Sequence, residues 1–299
     1  MRAYPTFVLT DRRGATIDRW MGYGRAAEFI KSLREATADL TTIDRTRARF
    51  ATAPTARDAA KLGRVQAASA EYAAAVRSYR QAERLDTDGA TDYSVRIFDC
   101  LMSASYDSTV ADDDLKAAAD AVLASKQRRT SDVIGVAMQM RSYAKRQSKT
   151  DLMVPYLQAA FEASDGSAEA EVQNARRSLL VDHALYVLGD KERALAARRD
   201  LLPEGWAEDA DQLNSLAWWC FENNVNLEEA ETLARKGVDL APPGREKAAI
   251  LDTVAEIRNA RGDRKEAVAF TEQAIEQEPK NDYYRKQLER FQKPQEETK

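Results

Sequence analysis

Histidine is nearly missing from this sequence: 299 residues contain one, His183. Hydrolytic triads and zinc sites lean on imidazole, as general base or as ligand. The single copy lies in the helical stripe Leu179-Leu180-Val181-Asp182-His183-Ala184, with no cysteine or second histidine at ligand spacing, and reads as a helical residue rather than a ligand. Cysteine is almost as scarce. Cys100 and Cys220 stand 120 residues apart in helical patterns and read as two buried thiols, although spacing alone leaves a bridge open. Neither sign of charge prevails, with 45 Lys+Arg against 49 Asp+Glu and a net charge of -4, so the basic stripe of a nucleic-acid surface is not expected. No apolar run approaches the roughly 18 residues of a membrane span. No Walker loop and no G-x-S-x-G element occurs. No cofactor, no metal, no nucleic-acid partner and no membrane partner is therefore expected. No signal-peptide pattern opens the sequence, an absence that says nothing of compartment if the start is not the natural one.

With 44% apolar and 31% charged residues, and only 12 Gly and 8 Pro, the composition favours a mostly helical protein. From residue 55 to 292 helical patterns of about 12–18 residues alternate with short breakers. The clearest unit places Leu251, Val254 and Ala255 at i, i+3, i+4, then the turn Gly262-Asp263, then Ala267, Thr271 and Ala274 before Pro279. The same ruler fits Leu62-Gly63, Ala75, Tyr79 and Ala82. Gly63 to Ala75 and Ala255 to Ala267 are both intervals of 12, and the two units lie 192 residues apart. Small residues at these positions let antiparallel helices approach closely while Tyr79 fills the groove beside them. Ala217 and Ala230 continue the pattern with an interval of 13, and Ala184, Gly189-Asp190 and Ala194 form a weaker unit. Residues 90–163 keep the helix–turn alternation but lose the small-residue code. These spacings resemble the tetratricopeptide repeat. The resemblance implies a mainly α fold, a solenoid of about six helix pairs, which binds extended peptides or helices of protein partners in its groove. Tyr284, Leu288 and Phe291 give the last helix one apolar face, as a capping helix requires. Residues 293–299 read as a disordered tail.

The first 36 residues follow a different rule. Thr6–Thr10 is a β-branched and aromatic run, the turn Asp11-Arg12-Arg13-Gly14 follows, and Ala15–Met21 is a second strand, so a hairpin is expected. Gly22-Tyr23-Gly24 breaks the strand, and Ala26, Ala27, Phe29, Ile30 and Leu33 mark a helix to about Thr37. The order proline, strand, turn, strand, Gly-Tyr, helix resembles the C-terminal β-β-α unit of thioredoxin-like proteins. Tyr4-Pro5-Thr6 matches that family's proline loop, where the proline is usually cis. What the resemblance implies is an α/β remnant over 1–36, a linker over 37–54 and a repeat array over 55–292. A full-length form would be a thiol-disulfide oxidoreductase whose Cys-x-x-Cys segment is missing from this chain. The chain as given carries no catalytic residue for that exchange.

Gly22-Tyr23-Gly24-Arg25-Ala26-Ala27 also satisfies the dinucleotide fingerprint G-x-G-x-x-A. The expected hairpin before it is antiparallel, and no second buried strand ending in an acid follows, so dinucleotide binding ranks below the other readings. Asp112-Asp113-Asp114 precedes Leu115 and reads as a capping run facing a helix N-terminus. Trp218-Trp219 stands out because neighbours on a helix point about 100° apart. One of the pair is expected to pack between repeats, and the other is a candidate partner-binding aromatic.

Overall fold

The computed structural model describes residues 6–21, 26–107 and 110–293. The chain divides into two compact units, residues 1–176 and 177–299.

The first unit opens with strands β1 (Thr6–Thr10) and β2 (Thr16–Met21), which form a two-stranded antiparallel sheet. Asp11 builds its turn. Its carboxylate accepts from the backbone N–H groups of Arg13 (2.8 Å) and Ala15 (2.9 Å), and Gly14 takes φ +82°, a value that disfavours side chains. The pairing runs Phe7↔Trp20, Val8↔Arg19, Leu9↔Asp18 and then Thr10↔Thr16, so Ile17 is the extra residue of a bulge. A bulge breaks the in–out alternation, which is why Ile17 and Asp18 are both buried. Helix α1 (Ala26–Thr37) lays Phe29 against Phe7 and Trp20, with ring centroids 5.1 and 6.3 Å apart.

Helix α2 (Ile43–Thr52) lies within the stretch 37–54 that the sequence marked as a polar link. Ile43 and Phe50 sit with Leu62 and Val65 of α3 (Ala56–Ala68), so two apolar residues in a polar stretch suffice to dock a short helix. There follow α4 (Tyr72–Leu85), α5 (Ser94–Ala104), α6 (Asp112–Ala124), α7 (Thr130–Arg146), a 3-10 turn at Thr150–Met153 and α8 (Val154–Ala163). Thr55 caps α3 by accepting from the Asp58 N–H, 3.1 Å away. Asp112, Asp113 and Asp114 fill the first turn of α6 at its positive end, as expected, but none of them supplies the N-cap. The N-cap of α6 is Ala111 with no side-chain bond, and Asp112 instead accepts from the Tyr143 hydroxyl (2.6 Å) and Lys149 (2.5 Å) of the next helix pair.

Helix α9 (Ala170–Asp182) crosses the boundary between the units. The second unit then holds a π turn at His183–Val187, α10 (Lys191–Arg199), a 3-10 turn at Trp206–Glu208, α11 (Ala210–Glu222), α12 (Leu227–Leu240), α13 (Arg245–Ala260), α14 (Arg264–Gln277) and α15 (Asp282–Gln292). Side chains of Asp190, Asp209, Asn226, Asp263 and Asn281 cap their helices by accepting backbone N–H groups. The protein is thus mainly helical. Consecutive helices pair as α3–α4, α5–α6 and α7–α8 in the first unit and as α11–α12 and α13–α14 in the second, with α15 packed on α14. No described helix is long and apolar enough to cross a membrane.

The small residues singled out from spacing are buried within the helical layers. Ala75, Ala82, Ala217, Ala230, Ala255, Ala267 and Ala274 have no exposed surface, and Tyr79 is buried. Gly63 faces the Tyr79 ring so closely that a Cβ there would stand 2.9 Å from a ring carbon. Pro279 is exposed, just past the end of α14. In α15, Tyr284 and Phe291 are buried, whereas Arg285, Lys286, Glu289 and Arg290 face solvent.

Candidate functional site

Helix α11 separates its adjacent tryptophans. Leu213, Leu216, Ala217 and Cys220 set the buried stripe. Trp219 packs against the core cluster of the second unit, and its carbonyl accepts from the Asn223 side chain at 2.8 Å. Trp218 is half-buried and lies outside that cluster. Its described ring neighbour is Phe221, 5.1 Å away, one turn further on. An indole held on one side and wet on the other suits recognition of an apolar or aromatic partner group.

A second polar feature joins α13 to α15. Asp252 and Glu256, one turn apart on α13, are both buried. The Tyr283 hydroxyl donates to Asp252 (3.1 Å), and Gln287 Nε2 and Arg290 of α15 donate to Glu256, the former at 2.6 Å. Burial, then the neighbouring Glu256 charge, pushes Asp252 up to about 6. On the other flank of the α12–α13 contact, buried Glu231 accepts from Arg235 (2.7 Å), Arg258 (2.5 Å) and Arg261 (2.5 Å). Both clusters lock neighbouring helices together.

The first unit carries a charged cavity of about 360 Å³, lined on α3 by Arg57, Lys61 and Arg64, on α5 by Arg96, and on α1 by Glu35. Arg64 reaches the fully buried carboxylate of Asp18 on β2, with its Nε 3.1 Å from Oδ1, and also Glu35 at 3.3 Å. Burial pushes the Lys61 ammonium pKa down, against the attraction of Asp39 and Asp18. None of these residues was singled out from sequence. The available signal was the cation stripe Arg57, Lys61, Arg64 at i, i+4, i+7 on one helix face.

Of the proline loop expected from sequence, Tyr4 and Pro5 lie outside the described residues, and Thr6 opens β1. Gly22 and Gly24 of the dinucleotide pattern also lie outside them, and Ala27 falls within α1. Cys100 and Cys220 are free and buried. Burial, then Asp99, pushes the Cys100 thiol up to about 12; burial, then Glu229, pushes Cys220 up to about 11. At neutral pH both are thiols, the unreactive form. His183 is buried at the start of the π turn.

No family model and no curated protein matches the sequence. Among solved structures, the C-terminal part of a TPR repeat-containing protein from Cytophaga hutchinsonii is 15% identical, with 88% of this chain and 98% of that one covered at a TM-score of 0.48. A tetratricopeptide repeat protein from Parabacteroides merdae is 11% identical, covering 89% and 96%, at 0.39. The TPR2AB-domain complex of yeast Sti1 with pHSP90 is 13% identical, covering 79% and 96%, at 0.32. All three carry TPR or tetratricopeptide repeats by description, and at scores this low their partners and roles do not carry over.

Proposed function

We propose that this chain is a protein-interaction scaffold, a tetratricopeptide-type helical array that holds a peptide or helix of a partner protein against the open faces of its helix pairs. The small-residue code at Gly63, Ala75, Tyr79, Ala82, Ala217, Ala230, Ala255, Ala267 and Ala274 supports the repeat type, because all of these residues are buried and Gly63 sits against the Tyr79 ring. The observation that carries the binding role is Trp218, a large aromatic that keeps part of its surface exposed and lies outside the core cluster against which its neighbour Trp219 packs. Tryptophan is enriched among the few residues that dominate binding energy.

The test is peptide selection by display on the full chain, followed by affinity measurement. Trp218→Ala should weaken the selected peptide by about thirtyfold, the ~2 kcal/mol of a hot-spot truncation, with an unchanged melting temperature. Trp219→Ala should lower the melting temperature instead. Equal peptide affinity for Trp218→Ala and the unsubstituted chain would reject the assignment.

The β-β-α unit is read as a non-catalytic fragment of thioredoxin type. Support comes from the order of its elements and from the turn that Asp11 and Gly14 build. The two cysteines belong to helices of the array and are held as thiols, so the scaffold reading does not assign them disulfide exchange.

A further inference from the structure

Residues 35–41 run from the last turn of α1 to just before α2, and the cations of three helices converge on them. Arg57 donates to the Ala38 carbonyl. Lys61 Nζ, on a side chain only 4% exposed, donates to the carbonyls of Asp39 (2.8 Å) and Thr41 (2.6 Å). Arg49 binds the Asp39 carboxylate at 2.7 Å, and Glu35 accepts from Arg64 (3.3 Å) and Arg96 (3.1 Å). From Ala38 to Thr42 the backbone is irregular and makes no ladder. The face formed by α3 and α5, with Arg49 of α2 at its edge, therefore already holds a short peptide stretch with carboxylates four residues apart, gripped through three main-chain carbonyls and two side chains.

We infer that Glu35–Thr41 is a displaceable internal strap, and that the basic face beneath it accepts a similar acidic, extended segment of a partner protein once the strap lifts. Three observations support displacement. The strap inserts no large apolar anchor: Leu40 is 63% exposed, and its one buried apolar residue is the small Ala36 at the end of α1. The cavity of about 360 Å³ beside it is lined by the same cations, so they remain within reach of a second ligand. Arg57 and Arg96 each reach the strap through one terminal nitrogen, which leaves the rest of two guanidinium forks for other acceptors. The inference rests on the scaffold reading and adds a regulated entry point to it. A tethered strap competes at an effective concentration in the millimolar range, so a free peptide of equal intrinsic affinity is excluded at micromolar levels.

The probe is a fluorescein-labelled peptide with the sequence of residues 34–42, with the same peptide carrying Gln and Asn for its acids as control. Full-length Glu35→Gln/Asp39→Asn should bind the acidic probe at least tenfold more tightly than the unsubstituted chain, and not the control. Adding Arg57→Ala and Arg96→Ala should abolish that gain. In the unsubstituted chain, millimolar probe should speed amide exchange of residues 39–42, a readout that does not depend on how the variants fold. Equal affinity of both chains for the probe, or exchange that stays unchanged or slows, would overturn the strap. The Trp218 measurement separates the two readings: a failed strap with Trp218-dependent binding intact leaves the scaffold standing.

Discussion

Gly63 shows how tightly the first helix pair is closed. A methyl at this position would meet three carbons of the Tyr79 ring at 2.9, 3.0 and 3.1 Å, and Tyr79 is only 3% exposed, so the ring has nowhere to retreat. Gly63→Ala gains helix propensity but overpacks the crossing, and a net loss of about 1–3 kcal/mol is expected. Combining it with Tyr79→Leu should recover part of that loss; additive losses in chemical denaturation would show that the two residues do not meet. Asp252 sets a pH dependence. An unfolded aspartate titrates near 3.8 and native Asp252 near 6. The native state thus holds the proton more tightly, and this contribution is fully present below pH 4 and lost as pH rises through 6. It amounts to about 3 kcal/mol at most. Asp252→Asn imitates the neutral form, so it should raise the melting temperature at pH 7 and match the unsubstituted chain at pH 4. A constant difference across that range would contradict the assignment.

The helical pattern of the sequence marks element types well where a period repeats, and tertiary docking poorly. The hairpin, its Asp11–Gly14 turn and the helix carrying Phe29 were legible from β-branched runs and a turn signal. A two-stranded sheet is weak alone, and a hairpin that stood by itself would be a marginal appendage. In the structure β2 docks on α3, with Asp18 fully buried against Arg64. That contact joins residues 46 positions apart, and no local pattern encodes it. Helix α2 was hidden for a related reason: Ile43 and Phe50 are its only large apolar residues, and their partners lie on the following helix. Arg64→Met leaves Asp18 buried without its cation and should cost about 3 kcal/mol or more. Deleting residues 1–36 uncovers α3 and leaves Arg64 and Arg96 without carboxylate partners, and the melting temperature should fall by several degrees. Unchanged melting of both variants would return the hairpin to an appendage. In the second unit, Glu231 plays the corresponding role, and Glu231→Gln should loosen the α12–α13 contact through its three arginines.

At the scale of the molecule, the helix pairs of each unit rest on a simple division of labour. Alanine and glycine bring paired helices together, buried ion pairs fix neighbouring elements, and the remaining helix faces stay free to present side chains such as Trp218. The middle pairs α5–α6 and α7–α8 follow the same architecture without the small-residue code, which explains why their register could not be read from spacing. Function was legible only as a class, since partner choice resides in exposed residues that obey no period. The scaffold claim is tested most directly by titration calorimetry of the strongest display-selected peptide into the full chain. Saturable one-to-one binding is predicted, with the negative heat-capacity change of apolar burial, and with both signals lost in Trp218→Ala. Failure of every selected peptide to saturate, or an unchanged titration in Trp218→Ala, would contradict it.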